Sequence, residues 1–318
     1  MSRSSSTDWI TTLTFAILTC AAPTLFAQAP TAVPSAPCKS TITGDVEIFD
    51  FSSKVFGNTR KIRAFLPPGY NDPANKDRKY PVLYMFDGQN LFDACTAYDH
   101  VHEWQIDETV TGLVKAGRIE PLIVIGIDNA QEKRASEYLA WRDGIQQPFM
   151  EEPNGRMLPT FMLQEVMPAM ANKYRIETEK PGMTGIGGSS YGGVAALYVA
   201  LNAPTIFTKV IAESPVLFVG NNQMVRDTAS LALAPEKVFM GIGGEESKGL
   251  NGVMLKAMQQ VEKNLKSAYA NQAEVILMVD EPSHHNEQAW AKRFPRAIEF
   301  LFPVGKTASP PADIPVQK

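Results

Sequence analysis

From residue 40 onward the apolar positions follow two alternating rhythms. Residues 43–51 and 60–65 alternate apolar with polar side chains, which predicts two strands paired antiparallel at a sheet edge. Six compact runs, at 81–86, 122–127, 183–186, 210–212, 238–242 and 275–279, are apolar nearly throughout and are bounded by turn signals. That pattern belongs to strands covered on both faces of a parallel sheet. Amphipathic stretches of helical length lie between them, at 103–116, 158–174, 191–202, 250–269 and 286–302. The alternation predicts an α/β domain on a doubly wound, mostly parallel sheet of about eight strands. Ligands of such sheets bind beyond the carboxyl ends of the strands, so candidate chemistry is sought directly after each run.

The two ends break this rhythm. Arg3 is followed by an apolar segment from Trp9 to Leu18 and then by small residues up to Ala27. This is the order of a secretory signal over 1–27, cut near Ala27 or Ala29. The apolar run is interrupted and too short to span a bilayer comfortably, so no stable membrane insertion is expected after cleavage. Residues 28–39 are rich in Pro and Ala and read as a flexible leader. Residues 304–318 carry Ser309-Pro310-Pro311 without an apolar period and read as a disordered tail. The expected domain is 40–303, in an exported protein, periplasmic or secreted. Export changes what the cysteines mean: Cys20 leaves with the signal, and Cys38 and Cys95 remain to form one disulfide. A net charge of -4 with scattered Lys and Arg gives no basic stripe, which sets nucleic acid aside as a partner.

The sharpest chemical signal lies just after run 183–186. There Gly187-Gly188-Ser189-Ser190-Tyr191-Gly192-Gly193 sets Gly188-x-Ser190-x-Gly192 between a strand and a helix, the pattern of the nucleophile elbow. A serine on so sharp a turn needs very small residues two before and two after it. Ser189 fails that test, because Tyr191 stands two after it. A phosphate loop is the competing reading, but Gly-Lys-Ser/Thr is absent, and Gly185 and Gly187 are followed by Ser190 instead of a third glycine. The elbow needs an acid and then a histidine after later strands, in that chain order. Of four histidines, His284 and His285 come after run 275–279, while Glu245 and Glu246 come after run 238–242.

These residues and their surroundings resemble a family. The matching stretches are Tyr80-Pro81-Val82-Leu83-Tyr84-Met85-Phe86-Asp87-Gly88-Gln89-Asn90-Leu91-Phe92-Asp93, Trp104-Gln105-Ile106-Asp107-Glu108, Glu137-Tyr138, the elbow, Glu213-Ser214-Pro215, and His285-Asn286-Glu287 with Trp290. They are similar to an esterase family of α/β-hydrolases that contains feruloyl and acetyl-xylan esterases, siderophore trilactone esterases, S-formylglutathione hydrolases and mycolyltransferases. The resemblance covers nearly the whole domain and is unspecific for substrate. It implies an α/β-hydrolase fold and an acid at the last residue of a G-T-x-D/E stretch, which falls on Glu246. Gly244 stands where Thr is usual, which leaves Glu245 open. The resemblance also selects His285 over His284, which is left as a solvent-facing loop residue.

An acyl-transfer site must also stabilise an oxyanion. The expected donors are the backbone N–H of Tyr191, directly after the nucleophile, and that of Gln89, beside Gly88 after run 81–86. Asp87, Gly88, Arg134 and Tyr138 are the candidate substrate contacts, with structural ion pairing as the alternative for Arg134 and Arg142. The stretch Asp99-His100-Val101-His102-Glu103 resembles a metal cluster. A polar loop entering a helix is the plainer reading, since a serine triad needs no metal and no cofactor is implied. The expectation is a serine carboxylic-ester hydrolase acting through an acyl-enzyme. Its partner would be a small-molecule or glycan-linked ester outside the cytoplasm, such as a carbohydrate-linked acyl or feruloyl ester or a siderophore lactone. Transfer to a sugar or alcohol acceptor would make the same chemistry an acyltransferase. A non-catalytic binding module on this fold would be expected to lack a triad member, and all three candidates are present.

Overall fold

The computed structural model describes residues 38–144, 151–247, 249–268 and 273–305. The expected signal, the leader up to residue 37 and the tail beyond residue 305 lie outside the described residues. The chain divides into Met1–Cys38, of which only Cys38 is described, and Lys39–Lys318. Cys38 and Cys95 are each disulfide-bonded.

Eight strands form one sheet: β1 Asp45–Ser53, β2 Asn58–Leu66, β3 Val82–Phe86, β4 Ile123–Ile127, β5 Thr184–Ser189, β6 Lys209–Glu213, β7 Lys237–Glu245 and β8 Glu274–His284. Their spatial order is β1-β2-β4-β3-β5-β6-β7-β8. β2 pairs antiparallel with both β1 and β4, and every pairing from β4 through β8 is parallel. The helices are α1 Ile106–Lys115, α2 Arg134–Tyr138, α3 Leu158–Phe161, α4 Met167–Lys173, α5 Tyr191–Asn202, α6 Val219–Thr228, α7 Asn251–Lys266 and α8 Glu287–Leu301.

Strand alternation explains the two cores. In β3, Val82, Tyr84 and Phe86 join one cluster with α5 and α7, whereas Leu83 and Met85 join the other with α1 and α8. Ile211 and Phe239 likewise face α8, while their neighbours Val210, Ala212, Val238 and Met240 face the opposite layer. A strand whose side chains fill both layers must be apolar at every position, which is the compact-run pattern seen in the sequence.

Four local features depart from expectation, each for a physical reason. β8 is the outermost strand, so Val275 to Met278 are only half-buried and Val279 is exposed, although its run reads as covered on both faces. α5 is buried from Tyr191 through Leu197, not amphipathic, because it lies behind the middle of the sheet. The helix expected over 158–174 is α3, a π-helical turn Met162–Val166, and α4. Pro168 carries no N–H to continue the regular ladder, and the helix widens just before it. Gln105 takes a left-handed conformation (φ 53°), so α1 starts only at Ile106. Two helices were not foreshadowed: α2 is five residues long, and α6 is polar with Gly220, Asn221 and Asn222 at positive φ.

Candidate active site

β5 ends at Ser189 and α5 begins at Tyr191, which leaves Ser190 alone at the bend with φ 55° and ψ -123°. The flanking glycines are required by contact. A Cβ at Gly188 would come within 2.7 Å of the Gly192 carbonyl carbon, and one at Gly192 within 2.8 Å of Asp87 Oδ2. Ser190 N–H donates to the Glu213 carbonyl at 2.8 Å, which ties the bend to the end of β6.

Glu246 and His285 stand one residue past the ends of β7 and β8. Because these strands run parallel side by side, the two residues meet: His285 Nδ1 lies 2.6 Å from Glu246 Oε2. Asn286 then caps α8 by accepting from Ala289 N–H at 3.0 Å, which fixes the chain just past the imidazole. The Glu246 side chain is 0% exposed and that of His285 28%, so the pair has a dry end and a wet end. Burial would raise the Glu246 carboxyl. Hydrogen bonds from His285, Ser214 Oγ and Gly243 N–H outweigh it and hold the group below the usual carboxylate range. Glu245 points the other way, with its side chain 58% exposed and its carboxylate 3.6 Å from His284. Asp280, the other nearby acid, accepts from Ser283 and Lys292 instead.

The turn after β3 is held as firmly. Asp87 takes φ 58°, and a Cβ at Gly88 would lie 2.7 Å from the backbone of Gly126 and Ile127. Thr96 Oγ1 donates to the Gln89 carbonyl at 2.7 Å, and Asn129 N–H donates to its side-chain oxygen at 3.2 Å. Neither the Gln89 nor the Tyr191 backbone N–H has an acceptor among the described residues. Arg134 grips the Asp87 carboxylate through Nε at 2.7 Å and Nη2 at 2.8 Å, and the Tyr138 hydroxyl accepts Asp87 N–H at 3.1 Å. Of the four candidate substrate contacts, Asp87, Gly88 and Tyr138 are buried in the framework of the turn. Arg134 reaches solvent, its guanidinium lying over the rings of Tyr138 and Tyr191. Glu137 is likewise committed, to a buried pair with Arg60 at 2.6 Å.

His102 pairs with Asp99 at 2.7 Å and His100 meets the Cys95 carbonyl at 3.0 Å. Among the described residues no group of three or more His, Cys, Asp or Glu side chains could hold a metal ion.

Sequence reasoning missed the floor beneath the acid. Glu213 and Arg293 are both 0% exposed and pair at 2.8 Å. The signal was present: Arg293 stands three residues after Trp290 on one helix, so the two side chains share a face. Burial pushes the Glu213 carboxyl up to about 7, even with the guanidinium beside it. Arg293→Met should therefore destabilise the protein by about 3–5 kcal/mol, because an uncompensated buried carboxylate is left behind. A carboxyl raised above its unfolded value contributes most at pH below that unfolded value, and the contribution is lost as pH rises through the folded value. The variant's loss in melting temperature should thus be smaller at pH 5 than at pH 8, and equal losses at both would refute the account.

A family model described as "Putative esterase" matches residues 53–301. The chain is 26% identical over 255 residues to the uncharacterized protein YbbA of Bacillus subtilis (strain 168), covering 79% of this chain and 94% of that relative. It is 25% identical over 167 residues to the iron(III) salmochelin esterase of Escherichia coli O6:H1, covering 52% of this chain and 34% of the relative. Among solved structures, the CE1 ferulic acid esterase AmCE1/Fae1A of the anaerobic fungus Anaeromyces mucronatus matches with a TM-score of 0.60 at 19% identity, over 87% of this chain and 95% of that one. That likeness shows a shared α/β-hydrolase fold. Because the family match spans most of the chain, the protein belongs to this esterase family and is a carboxylic-ester hydrolase.

Proposed function

We propose that the protein is a serine esterase working outside the cytoplasm through an acyl-enzyme on Ser190. The observation that carries this reading is the buried Glu246 carboxylate 2.6 Å from His285 Nδ1, on the strand edge that also bears the elbow. Glu246 accepts the Nδ1 proton and so leaves Nε2 with its lone pair free to act as a base. His285 removes the Ser190 Oγ proton as Oγ attacks the ester carbonyl. The oxyanion that forms receives N–H groups from Tyr191 and Gln89. Collapse breaks the bond to the alkoxy oxygen, which takes the proton from His285 and departs as the alcohol. Water then repeats the sequence on the acyl-enzyme, releasing the acid and restoring Ser190.

Export rests on the signal-like order of residues 1–27. Among the described residues no helix is long and apolar enough to cross a membrane. The proposed substrate is a carbohydrate-linked acyl or feruloyl ester or a siderophore lactone, a choice supported by the likeness to the salmochelin and ferulic acid esterases. A panel of acetyl-xylan, feruloyl and trilactone esters tests it, with products analysed in water and with added alcohol acceptors. One class should be hydrolysed well above the others, with free acid as the product. Preferential transfer to the acceptor would reassign the protein as an acyltransferase, and inertness toward all three classes would remove the substrate proposal.

A further inference from the structure

β6 lies between β5, which leads into the elbow, and β7, which leads into the acid. The corner at its end touches both. Glu213 accepts the Ser190 N–H on its carbonyl, and Ser214 Oγ lies 2.6 Å from Glu246 Oε1. That oxygen is the one His285 does not use, since the imidazole meets Oε2.

The direction of the Ser214 hydrogen bond is fixed by counting donors. Trp290 Nε1 lies 3.0 Å from Ser214 Oγ and Arg293 Nη2 lies 3.4 Å from it. Neither group can accept, so both donate into the hydroxyl lone pairs. The single hydroxyl hydrogen then has one acceptor left, Glu246 Oε1. Ser214 is 0% exposed, so no bulk solvent competes for it. Its backbone is pinned at φ 46°, with N–H donating to the Gly241 carbonyl at 2.7 Å. Arg293 is itself held by Glu213, and the Trp290 ring meets the His285 ring edge-on at 5.3 Å. One indole therefore aims the hydroxyl behind the acid and flanks the base.

We infer that Ser214, oriented by Trp290, is a positioning residue that locks the Glu246 carboxylate so that Oε2 is presented to His285. The inference rests on the serine-esterase reading of the site. Without the hydroxyl, Glu246 loses one of three donors in a dry site, and Oε1 is held by the Gly243 N–H alone. The imidazole is then held less well at the moment it must take a proton. Substrate contacts are untouched, because Ser214 is fully covered by protein.

The test uses the whole protein and its best substrate. Ser214→Ala should lower kcat about tenfold or more and leave KM unchanged, the signature of an interaction that serves the chemical step. The acid limb of its kcat/KM profile should move to higher pH, because a Glu246 carboxylate with one donor fewer makes the Glu246–His285 pair hold its extra proton more strongly. Trp290→Phe keeps a ring beside His285 but deletes the donor to Ser214, and should give a smaller change in the same directions. Placed on Glu246→Gln, the Ser214→Ala change should cost little more, since the carboxylate it positions is already gone. Melting curves establish that each variant is folded, and Trp290→Phe carries the test if Ser214→Ala is not. Wild-type kcat with an unmoved acid limb in a folded variant would overturn the inference, as would a loss fully additive with that of Glu246→Gln. Ser190→Ala is the control that separates the two proposals: substantial turnover there removes the serine-esterase reading itself.

Discussion

Ser190→Ala should lower ester turnover about 10^6-fold while the fold stays intact. The hydroxyl is the only group lost. Its backbone N–H still reaches the Glu213 carbonyl, and alanine meets the same φ of 55° that serine already tolerates. The clearance at the bend comes from Gly188 and Gly192, which the substitution leaves alone. On the proposed mechanism, residual rate should come from the backbone N–H groups of Tyr191 and Gln89, which would still polarise a bound carbonyl. Purified variant and parent are compared by kcat and by melting temperature. An unchanged melting curve with more than a trace of parental turnover would show that another residue forms the acyl-enzyme.

The second large effect separates two adjacent carboxylates. Glu246→Gln should reduce kcat by about 10^4-fold, whereas Glu245→Gln should change it by no more than a few-fold. An amide at position 246 keeps the shape but can turn its NH2 toward His285, which favours the wrong imidazole tautomer. It would also leave the donors from Ser214 and Gly243 facing a weaker acceptor. Glu245 has no such company, being exposed and beside His284. Steady-state kinetics on both variants decide the matter, and the reverse ranking would move the acid role to Glu245.

Much of this arrangement was legible in the chain because the physics involved is local. Runs such as 81–86 must be apolar at every position to fill two layers, and Ser190 must be flanked by glycines to clear its neighbours. The register at the end of β7 was not legible. Glu245 and Glu246 are one residue apart, and in an extended chain one residue reverses the side of the sheet a side chain faces. Nothing in Gly243-Gly244-Glu245-Glu246 says where the strand's last regular residue falls. Ser214 stood in a family-matching stretch and Arg293 on the helix face of Trp290, but their partners were not legible, for a different reason. Their importance lies in contacts 32 and 80 residues away in sequence, which only the finished packing creates. The half-exposed face of β8 was misread because composition does not report that a strand is the last in its sheet.

The origin of the floor beneath the acid has a consequence for the timing of synthesis. His285, Trp290 and Arg293 all come after the last strand of the sheet. A ribosome delivers the elbow and Glu246 first, and these earlier elements can begin to fold before α8 has been made. Until the stretch after β8 is made and docks, Glu213 lacks the Arg293 guanidinium of α8 and Glu246 lacks the His285 imidazole that precedes it. On the proposed mechanism, a nascent chain or one terminated before residue 285 would carry Ser190 without its base, and hydrolysis would begin only once that late stretch had docked on the sheet.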